Sequence, residues 1–272
     1  MNKVVLSPIG SAGGKLTAYL HDFDSTYVHR GSRPAILVIP GGGYEKIVDR
    51  EGDSVAFEFF SAGFNTFILE YSVRDPAQDS GPLGLKPLVQ ASAAIMAIRD
   101  HAAQWNTREN QIAVLGFSAG GHLAASCSCM WNCTELKQEL DIHGGRNRPD
   151  AAVLCYPVIL SGQYAHKPSV QNLSERNPDF FNLADRVGCH VPPTFLWTTG
   201  EDELVPCENT LLYACKLQQY HVPYELHIYT HGRHGLTLGM CESNFVNRHI
   251  ASWVPLCKQW LGDLFHFEVS IG

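Results

Sequence analysis

Short apolar runs alternate along this chain with longer stretches in which apolar residues recur at every third or fourth position. The apolar runs are rich in β-branched and aromatic residues, and we interpret them as strands at residues 16–21, 35–39, 65–71, 112–117, 151–156, 194–199 and 224–230. The periodic stretches predict helices at residues 52–62, 88–105 and 207–221. Strands that alternate with helices are typical of a parallel sheet with helical crossovers. We therefore predict an α/β fold, with a mostly parallel twisted sheet and helices on both faces.

Two segments interrupt the alternation, residues 74–86 and residues 160–193. The second is long for a plain connection, and a long insertion of this kind is typical of a lid or cap over a functional site. We expect a short helix within residues 174–185 of this insertion. The chain as a whole, residues 1–272, is predicted to form one domain with a lid insertion at about 160–193.

The first and last elements differ from the repeating pattern. The strand at residues 16–21 is expected to belong to an antiparallel edge of the sheet. The last helix is expected to begin with Ser252 as its N-cap, because Pro255 is tolerated in a first helical turn and would break a helix interior.

Charge narrows the classes of partner. The formal net charge is −7 and no basic cluster occurs, so we expect neither nucleic acid nor an anionic membrane surface as a partner. A small-molecule substrate is expected instead, and the sequence leaves self-association into a homo-oligomer open.

The N-terminus and the cysteines indicate the compartment. The first eight residues lack the apolar core of a signal peptide, and no stretch approaches the roughly eighteen apolar residues that span a bilayer, so we expect a cytoplasmic location. The nine cysteines are spread through predicted strands and helices, and we interpret them as reduced core thiols. Cys127, Cys129 and Cys133 have a spacing that superficially suits a metal, but the first two point about 200° apart on a helix. We therefore predict no metal and no other cofactor.

A G-x-S-x-G pattern at residues 116–120 lies between a predicted strand and a small-residue helical stretch. A serine on such a tight strand-to-helix turn projects its hydroxyl above the sheet, which makes Ser118 a candidate nucleophile. The N–H of Ala119, at the helix start, is expected to face a developing oxyanion. The alternative interpretation is an ordinary glycine-rich turn, which the flanking strand and helix disfavour.

A serine nucleophile needs a base and an acid that orients it. His234 directly follows the strand at residues 224–230, and His231 is the second candidate for the base. Asp202 directly follows the strand at residues 194–199, in the order serine, acid, histidine that this motif predicts. Neighbouring Glu201 and Glu203 stay open as alternatives, as does a solvated acidic turn without a catalytic role.

A glycine-rich loop at residues 40–44, Pro-Gly-Gly-Gly-Tyr, follows the buried strand at residues 35–39. Bare N–H groups after a strand can turn toward a tetrahedral intermediate. A phosphate-binding loop is disfavoured, because neither G-K-[ST] nor a G-x-G-x-x-G that opens a helix is present.

These stretches resemble α/β-hydrolase esterases of the hormone-sensitive-lipase-like and acetyl-xylan-esterase-like kind, especially small bacterial carbohydrate esterases. The resemblance covers roughly residues 16–265 and rests on residues 40–44, 116–122, 200–206 and 232–235. It implies the α/β-hydrolase fold. The resemblance also implies site roles, namely Ser118 as nucleophile, Asp202 as acid, His234 as base, and Gly42, Gly43 and Ala119 as oxyanion donors. Lipases of the HGGG type carry a histidine where this chain has Pro40, and the proline form resembles that of sugar-ester enzymes.

The motifs and the resemblance together predict a serine carboxylesterase for short-chain acyl esters, with deacetylation of a carbohydrate or similar small ester favoured. A lipase or a peptidase on the same fold and a non-catalytic binding module stay open as alternatives. We expect Tyr44, Tyr156, His166 and Leu204 to line the substrate crevice. The alternative for the two tyrosines is that they only cover the strand ends, and His166 could be an ordinary loop residue.

Overall fold

One sheet runs through the centre of the molecule. The computed structural model describes residues 1–22, 31–75, 77, 81–174, 178–243 and 245–270. The strands are β1 (Asn2–Leu6), β2 (Lys15–Leu20), β3 (Arg33–Ile39), β4 (Asn65–Glu70), β5 (Thr107–Phe117), β6 (Ala151–Cys155), β7 (Thr194–Thr199) and β8 (Tyr224–Tyr229). They lie in the order β1-β2-β4-β3-β5-β6-β7-β8. The first two strands are antiparallel to their neighbours, and the others are parallel.

The sheet confirms the predicted α/β fold class, with a mostly parallel sheet and helices on both faces. Strand β2 pairs antiparallel with β4 as expected, but β1 lies outside it and forms the edge, which the sequence pattern did not predict. No residue of β1 is fully buried, and its apolar run, residues 4–6, is too short to stand out as a strand. Strands β3 and β6, in contrast, are buried along their whole length, because helices cover both faces of the sheet.

The helices are α1 (Asp53–Ser61), α2 (Lys86–Asp100), α3 (Ala119–Cys129), α4 (Thr134–Glu139), α5 (Lys167–Ser174), α6 (Pro178–Phe181), α7 (Glu208–Gln219), α8 (Arg248–Ala251) and α9 (Trp253–Phe265). Short 3-10 turns occur at Gly10–Ala12, Asp49–Glu51, Ala184–Arg186 and Cys241–Ser243. Helices α2, α3 and α7 pack on one face of the sheet, and α1 and α9 pack on the other. Among the described residues, no helix has both the length and the apolar character needed to cross a membrane.

The two irregular segments of the chain contact each other. The N–H groups of Leu83 and Gly84 donate to the carbonyl groups of Asn172 and Leu173 at 2.9 and 2.8 Å. Helix α6 lies within the range where a short helix is expected, whereas residues 175–177 of that range, and residues 76 and 78–80 of the first segment, lie outside the described residues. A lid role for residues 160–193 stays a prediction.

The last helix begins where the sequence predicts, at Trp253, but Ser252 does not cap it. Ser252 has helical backbone angles, so its hydroxyl cannot reach the free N–H groups of the first turn and instead donates to the carbonyl of His249 at 2.6 Å. The side chain that does cap a helix here is Asn247, which accepts from two N–H groups of α8. Ser252 therefore occupies the predicted N-cap position, but its side chain makes no capping hydrogen bond.

Candidate active site

Ser118 lies on a strained turn between β5 and α3. Its backbone angles, φ 53° and ψ −116°, are rare for a residue with a side chain. The turn depends on two glycines. A Cβ on Gly116 would lie 2.2 Å from the carbonyl oxygen of Gly120, and a Cβ on Gly120 would lie 2.1 Å from that of Ile39. Only glycine therefore lets α3 pack this closely on the ends of β5 and β3.

The structure brings Ser118, His234 and Asp202 together. Nε2 of His234 lies 2.8 Å from Oγ of Ser118, and Nδ1 lies 2.6 Å from Oδ2 of Asp202. The Asp202 side chain is fully buried, and its other oxygen accepts from the N–H groups of Leu204 and Val205 at 3.1 and 2.8 Å. An Nδ1–H that donates to the carboxylate leaves Nε2 free to accept the serine proton. The arrangement is that of a nucleophile, a base and an acid that orients the base.

The alternative base and acid lie apart from this trio. Nδ1 of His231 lies 2.7 Å from the Glu201 carboxylate, and both side chains are mostly exposed. Hydrogen bonds from His231 and from the N–H of Gly232 lower the pKa of Glu201. Glu203 is exposed as well. These groups form a surface ion pair and an exposed carboxylate, away from Ser118.

The glycine loop after β3 lies against the nucleophile. A Cβ on Gly41 would be 3.0 Å from the Cβ of Ser118, and Gly42 and Gly43 have φ of 128° and 67°, which favour glycine. Neither Gly42 nor Gly43 donates its N–H to another described residue, while Asn172 fixes the carbonyl of Gly43 at 2.9 Å. The predicted donor Ala119 is the first residue of α3, where an N–H has no partner within the helix.

The glycine loop is held by other hydrogen bonds than the loop of HGGG-type lipases, which carries a histidine at the position of Pro40. The carbonyl of Pro40 accepts a hydrogen bond of 2.8 Å from the Tyr71 hydroxyl, and the N–H of Gly41 donates at 2.8 Å to the Glu51 carboxylate. Sequence analysis missed Glu51, which is only 2% exposed. It directly precedes the predicted helix at residues 52–62, where acidic residues are common, so no local pattern distinguished it.

A crevice of about 280 Å³ opens over Ser118 and His234. His166 and Leu204 line it, as do Gly42 and Gly43. The rest of its wall is formed by Glu45, Lys46, Val48, Arg50, Glu51, Pro168 and Gly235. His166 comes from the insertion, and burial lowers the pKa of its imidazole, which is therefore neutral at pH 7.

Tyr44 and Tyr156, expected at the crevice, are buried beneath it, and neither lines it. The hydroxyl of Tyr44 bonds to Nδ1 of His122 at 2.8 Å, and that of Tyr156 donates to Glu51 at 2.9 Å. The ring of Tyr156 packs edge-on against His234, with 4.9 Å between centroids. A buried tyrosine usually finds a hydrogen-bond partner for its hydroxyl group, as both do here. Both side chains thus support the site from below.

The cysteines do not form a metal-binding group among the described residues. All nine are free thiols, but only Cys127, Cys129, Cys155 and Cys257 are buried, so the prediction of core thiols was wrong for the other five. Burial raises the pKa of Cys127 well above its usual range and that of Cys129 to about 12. Metal ligation requires the thiolate, which burial disfavours here. No group of three or more potential ligands occurs in the part of the chain that the structure describes.

Comparison with known proteins places the chain in a family. The BD-FAE family model matches residues 22–158. The endo-1,4-beta-xylanase B of Butyrivibrio fibrisolvens is 37% identical over 234 residues, which are 84% of this chain and 35% of that protein. The acetylxylan esterase of Xylanibacter ruminicola is 28% identical over 248 residues, which are 87% of this chain and 45% of that protein. This chain thus spans less than half the length of these two relatives.

A solved structure resembles nearly the whole chain. The acetyl ester-xyloside bifunctional hydrolase from Caldicellulosiruptor lactoaceticus is 35% identical and has a TM-score of 0.79, with 96% of this chain and 92% of that chain covered. The chain therefore belongs to the BD-FAE family and has the α/β-hydrolase fold.

Proposed function

We propose that this protein is a serine carboxylesterase that removes short acyl groups, above all acetyl, from a carbohydrate or similar small ester. The observation that carries the proposal is the hydrogen-bonded series from Ser118 through His234 to Asp202, at 2.8 and 2.6 Å. It lies in an open crevice beside two glycines whose N–H groups face no described partner.

The reaction proceeds by acyl transfer to the serine. Nε2 of His234 takes the proton from Oγ of Ser118 as Oγ attacks the ester carbonyl. The N–H groups of Gly42, Gly43 and Ala119 bind the resulting oxyanion, and each well-placed donor contributes roughly 3 kcal/mol. His234 then passes the proton to the leaving alcohol, and a water molecule, activated in the same way, releases the acyl group.

The choice of substrate rests on the crevice and on the relatives. Two relatives carry names that state action on acetyl esters or acetylxylan. Charged side chains of Glu45, Lys46 and Arg50 share the crevice wall with His166, which suits a polar alcohol such as a sugar. A lipase that acts at an oil surface would need a broad apolar rim instead. A cytoplasmic location and self-association stay predictions from the sequence.

Ser118→Ala tests the reaction. We expect this variant to keep its fold, to lose turnover of nitrophenyl acetate, and to escape labelling by a fluorophosphonate. Ser128→Ala, on the same helix α3, is the matched control, because the Ser128 hydroxyl only donates to the carbonyl of Ala124 at 2.9 Å. A Ser118→Ala protein that hydrolyses the ester at the wild-type rate would reject the proposal. An unlabelled, inactive wild-type protein would favour a non-catalytic binding module.

A substrate panel tests the specificity. Acetylated monosaccharides and xylo-oligosaccharides, aryl esters of two to eight carbons, and aminoacyl amides are compared by kcat/KM. We expect acetyl esters to be fastest and the amides to be inert. Faster hydrolysis of octanoyl esters, or activation by emulsified substrate, would indicate a lipase, and cleavage of the amides would indicate a peptidase.

A further inference from the structure

A buried carboxylate lies between the two loops that carry the proposed chemistry. Glu51 ends the short turn Asp49–Glu51 just before α1, and it is 2% exposed. Its Oε2 accepts the N–H of Gly41 at 2.8 Å, and its Oε1 accepts the hydroxyl of Tyr156 at 2.9 Å. Both oxygens of one side chain are thus used, one toward the glycine loop and the other toward the end of β6.

Tyr156 extends this connection to the loop of the base. Its hydroxyl oxygen accepts the N–H of Thr237 at 3.1 Å, and Thr237 follows His234 by three residues. The Tyr156 ring also packs edge-on against the His234 imidazole. One continuous series of hydrogen bonds therefore runs from Gly41, through Glu51 and Tyr156, to the histidine loop.

The donors around Glu51 fit a carboxylate rather than a neutral carboxyl group. Burial raises the pKa of Glu51, while the hydrogen bonds from Gly41 and Tyr156 and the positive charge of Arg50 oppose that rise. Because the Tyr156 oxygen already accepts from Thr237, its own proton is directed to Glu51. A charged acceptor makes both of these bonds stronger than a neutral one would.

The connection reaches the reacting atoms through Gly41. A Cβ on Gly41 would lie 3.0 Å from Oε2 of Glu51 and 3.0 Å from the Cβ of Ser118, so the carboxylate holds the loop directly against the nucleophile. The expected oxyanion donors Gly42 and Gly43 follow at once in the chain. A displacement of Gly41 would move both N–H groups away from the oxyanion, and donor geometry is the source of their effect.

We propose that Glu51 is a positioning residue of the esterase reaction. It holds the glycine loop, residues 40–44, and the loop that carries His234 at the separation that the tetrahedral intermediate requires. This inference rests on the proposed function. Glu51 touches no reacting atom in this account, since it acts through Gly41 on one side and through Tyr156 on the other.

Glu51→Gln is the main test. Glutamine keeps the shape, but in either amide orientation its NH₂ group faces a donor, from Gly41 or from Tyr156. We expect kcat for nitrophenyl acetate to fall about 10²–10³-fold, the range for loss of one oxyanion donor, with KM within about twofold. Tyr156→Phe should lower kcat about tenfold, and the double variant should be no worse than Glu51→Gln alone, since both act in one network.

Control variants distinguish an effect of Glu51 on kcat from an effect on the stability of the fold. Glu109→Gln changes an exposed carboxylate on β5 and should leave kcat, KM and the melting temperature unchanged. Glu51→Asp, which keeps the charge, should recover part of the lost kcat. A purely structural role would lower the melting temperature but leave kcat unchanged at temperatures where the variant is folded.

Three results would overturn the inference. They are a folded Glu51→Gln protein with wild-type kcat, a rise in KM with kcat unchanged, and strictly additive losses in the double variant. Should Glu51→Gln fail to fold, Tyr156→Phe decides alone, because a fall in kcat at constant KM supports the inference and a wild-type kcat overturns it. Fluorophosphonate labelling of the wild type is measured in parallel. Absent labelling and turnover in the wild type reject the proposed function, whereas normal labelling of the wild type together with any of the three results above rejects only the role of Glu51.

Discussion

The hydroxyl of Tyr44 and Nδ1 of His122 form a buried hydrogen bond of 2.8 Å directly beneath the glycine loop. On its other side, Nε2 of His122 lies 2.9 Å from the carbonyl of Phe181, which can only accept, so the ring proton is on Nε2 and the Tyr44 hydroxyl donates to Nδ1. This contact joins three parts of the chain, namely the loop after β3, helix α3 and the insertion. It needs a neutral imidazole.

Stability is therefore expected to depend on pH through His122. Burial lowers the pKa of His122 to about 4, below the 6.5 of an ordinary histidine. Between these pH values His122 binds a proton in the unfolded chain but not in the folded one. The contribution of its neutral imidazole to the free energy of unfolding is therefore complete above pH 6.5, and it is lost as the pH falls toward 4. From pH 7 to pH 5 this loss amounts to about 2 kcal/mol.

Urea unfolding at both pH values checks this expectation. We expect the stability of His122→Gln to change less between pH 7 and pH 5 than that of the wild type, by about 2 kcal/mol. His143→Gln, which removes an exposed histidine, should behave like the wild type. Parallel pH dependence in the wild type and His122→Gln would contradict the assignment.

Asp202→Asn should disable the base while the fold is kept. Oδ1 of Asp202 accepts two backbone N–H groups, so the asparagine oxygen must stay there and its NH₂ must face Nδ1 of His234. Nδ1 then becomes a hydrogen-bond acceptor, and the ring proton moves to Nε2. A protonated Nε2 cannot accept the proton of Ser118. We expect kcat to fall about 10⁴-fold.

Steady-state kinetics and circular dichroism measure this effect. Glu201→Gln is the control, because Glu201 pairs with His231 at the surface, and it should retain wild-type kcat. A kcat for Asp202→Asn within tenfold of the wild type would argue against Asp202 as the acid.

For Gly120→Ala, helix propensity and packing predict opposite changes in the free energy of unfolding. Helix propensity alone favours alanine by about 1 kcal/mol inside α3. A Cβ on Gly120, however, would lie 2.1 Å from the carbonyl oxygen of Ile39 and 2.4 Å from that of Pro40, both of which are backbone atoms. The helix must shift from β3, so we expect a loss of about 1–3 kcal/mol and a clear fall in kcat. Gly162→Ala, with no atom within 4 Å of the new Cβ, should be neutral in urea unfolding. A stabilised, fully active Gly120→Ala protein would refute this account.

His166→Ala should widen the acyl preference. Cε1 of His166 lies 3.7 Å from where a Cβ on Gly43 would be, and Nδ1 bonds to the Ser169 hydroxyl at 2.7 Å, so the ring is held beside the expected oxyanion site. Its removal enlarges the crevice, and we expect the ratio of kcat/KM for butanoyl over acetyl esters to rise about tenfold, the low end of the effect of a methylene. Lys167→Ala, at the exposed neighbouring position, should leave the ratio unchanged. An unchanged ratio in His166→Ala would place the acyl group elsewhere.

Local patterns in the sequence were sufficient for the fold class and for the motif around Ser118. Buried parallel strands are continuous apolar runs, and the helices carry a 3.6-residue period, so both can be recognised from neighbours in the chain. The turn at Ser118 likewise depends on glycines at fixed offsets. Strand β1 was not predicted, because its residues are exposed or only partly buried and its apolar run is short.

What the tertiary structure decided lies in contacts between distant segments. Chain order favoured Asp202 and left Glu201 and Glu203 as alternatives, and in the fold Asp202 is the one whose side chain faces His234. The same holds for the tyrosines, whose burial depends on partners more than 70 residues away, at 78 for Tyr44 and 105 for Tyr156. Glu51 carries no local signal at all, since its environment is made by Gly41 and by the end of β6. Periodicity determines which face of an element is apolar, but only packing determines which polar group that face will meet.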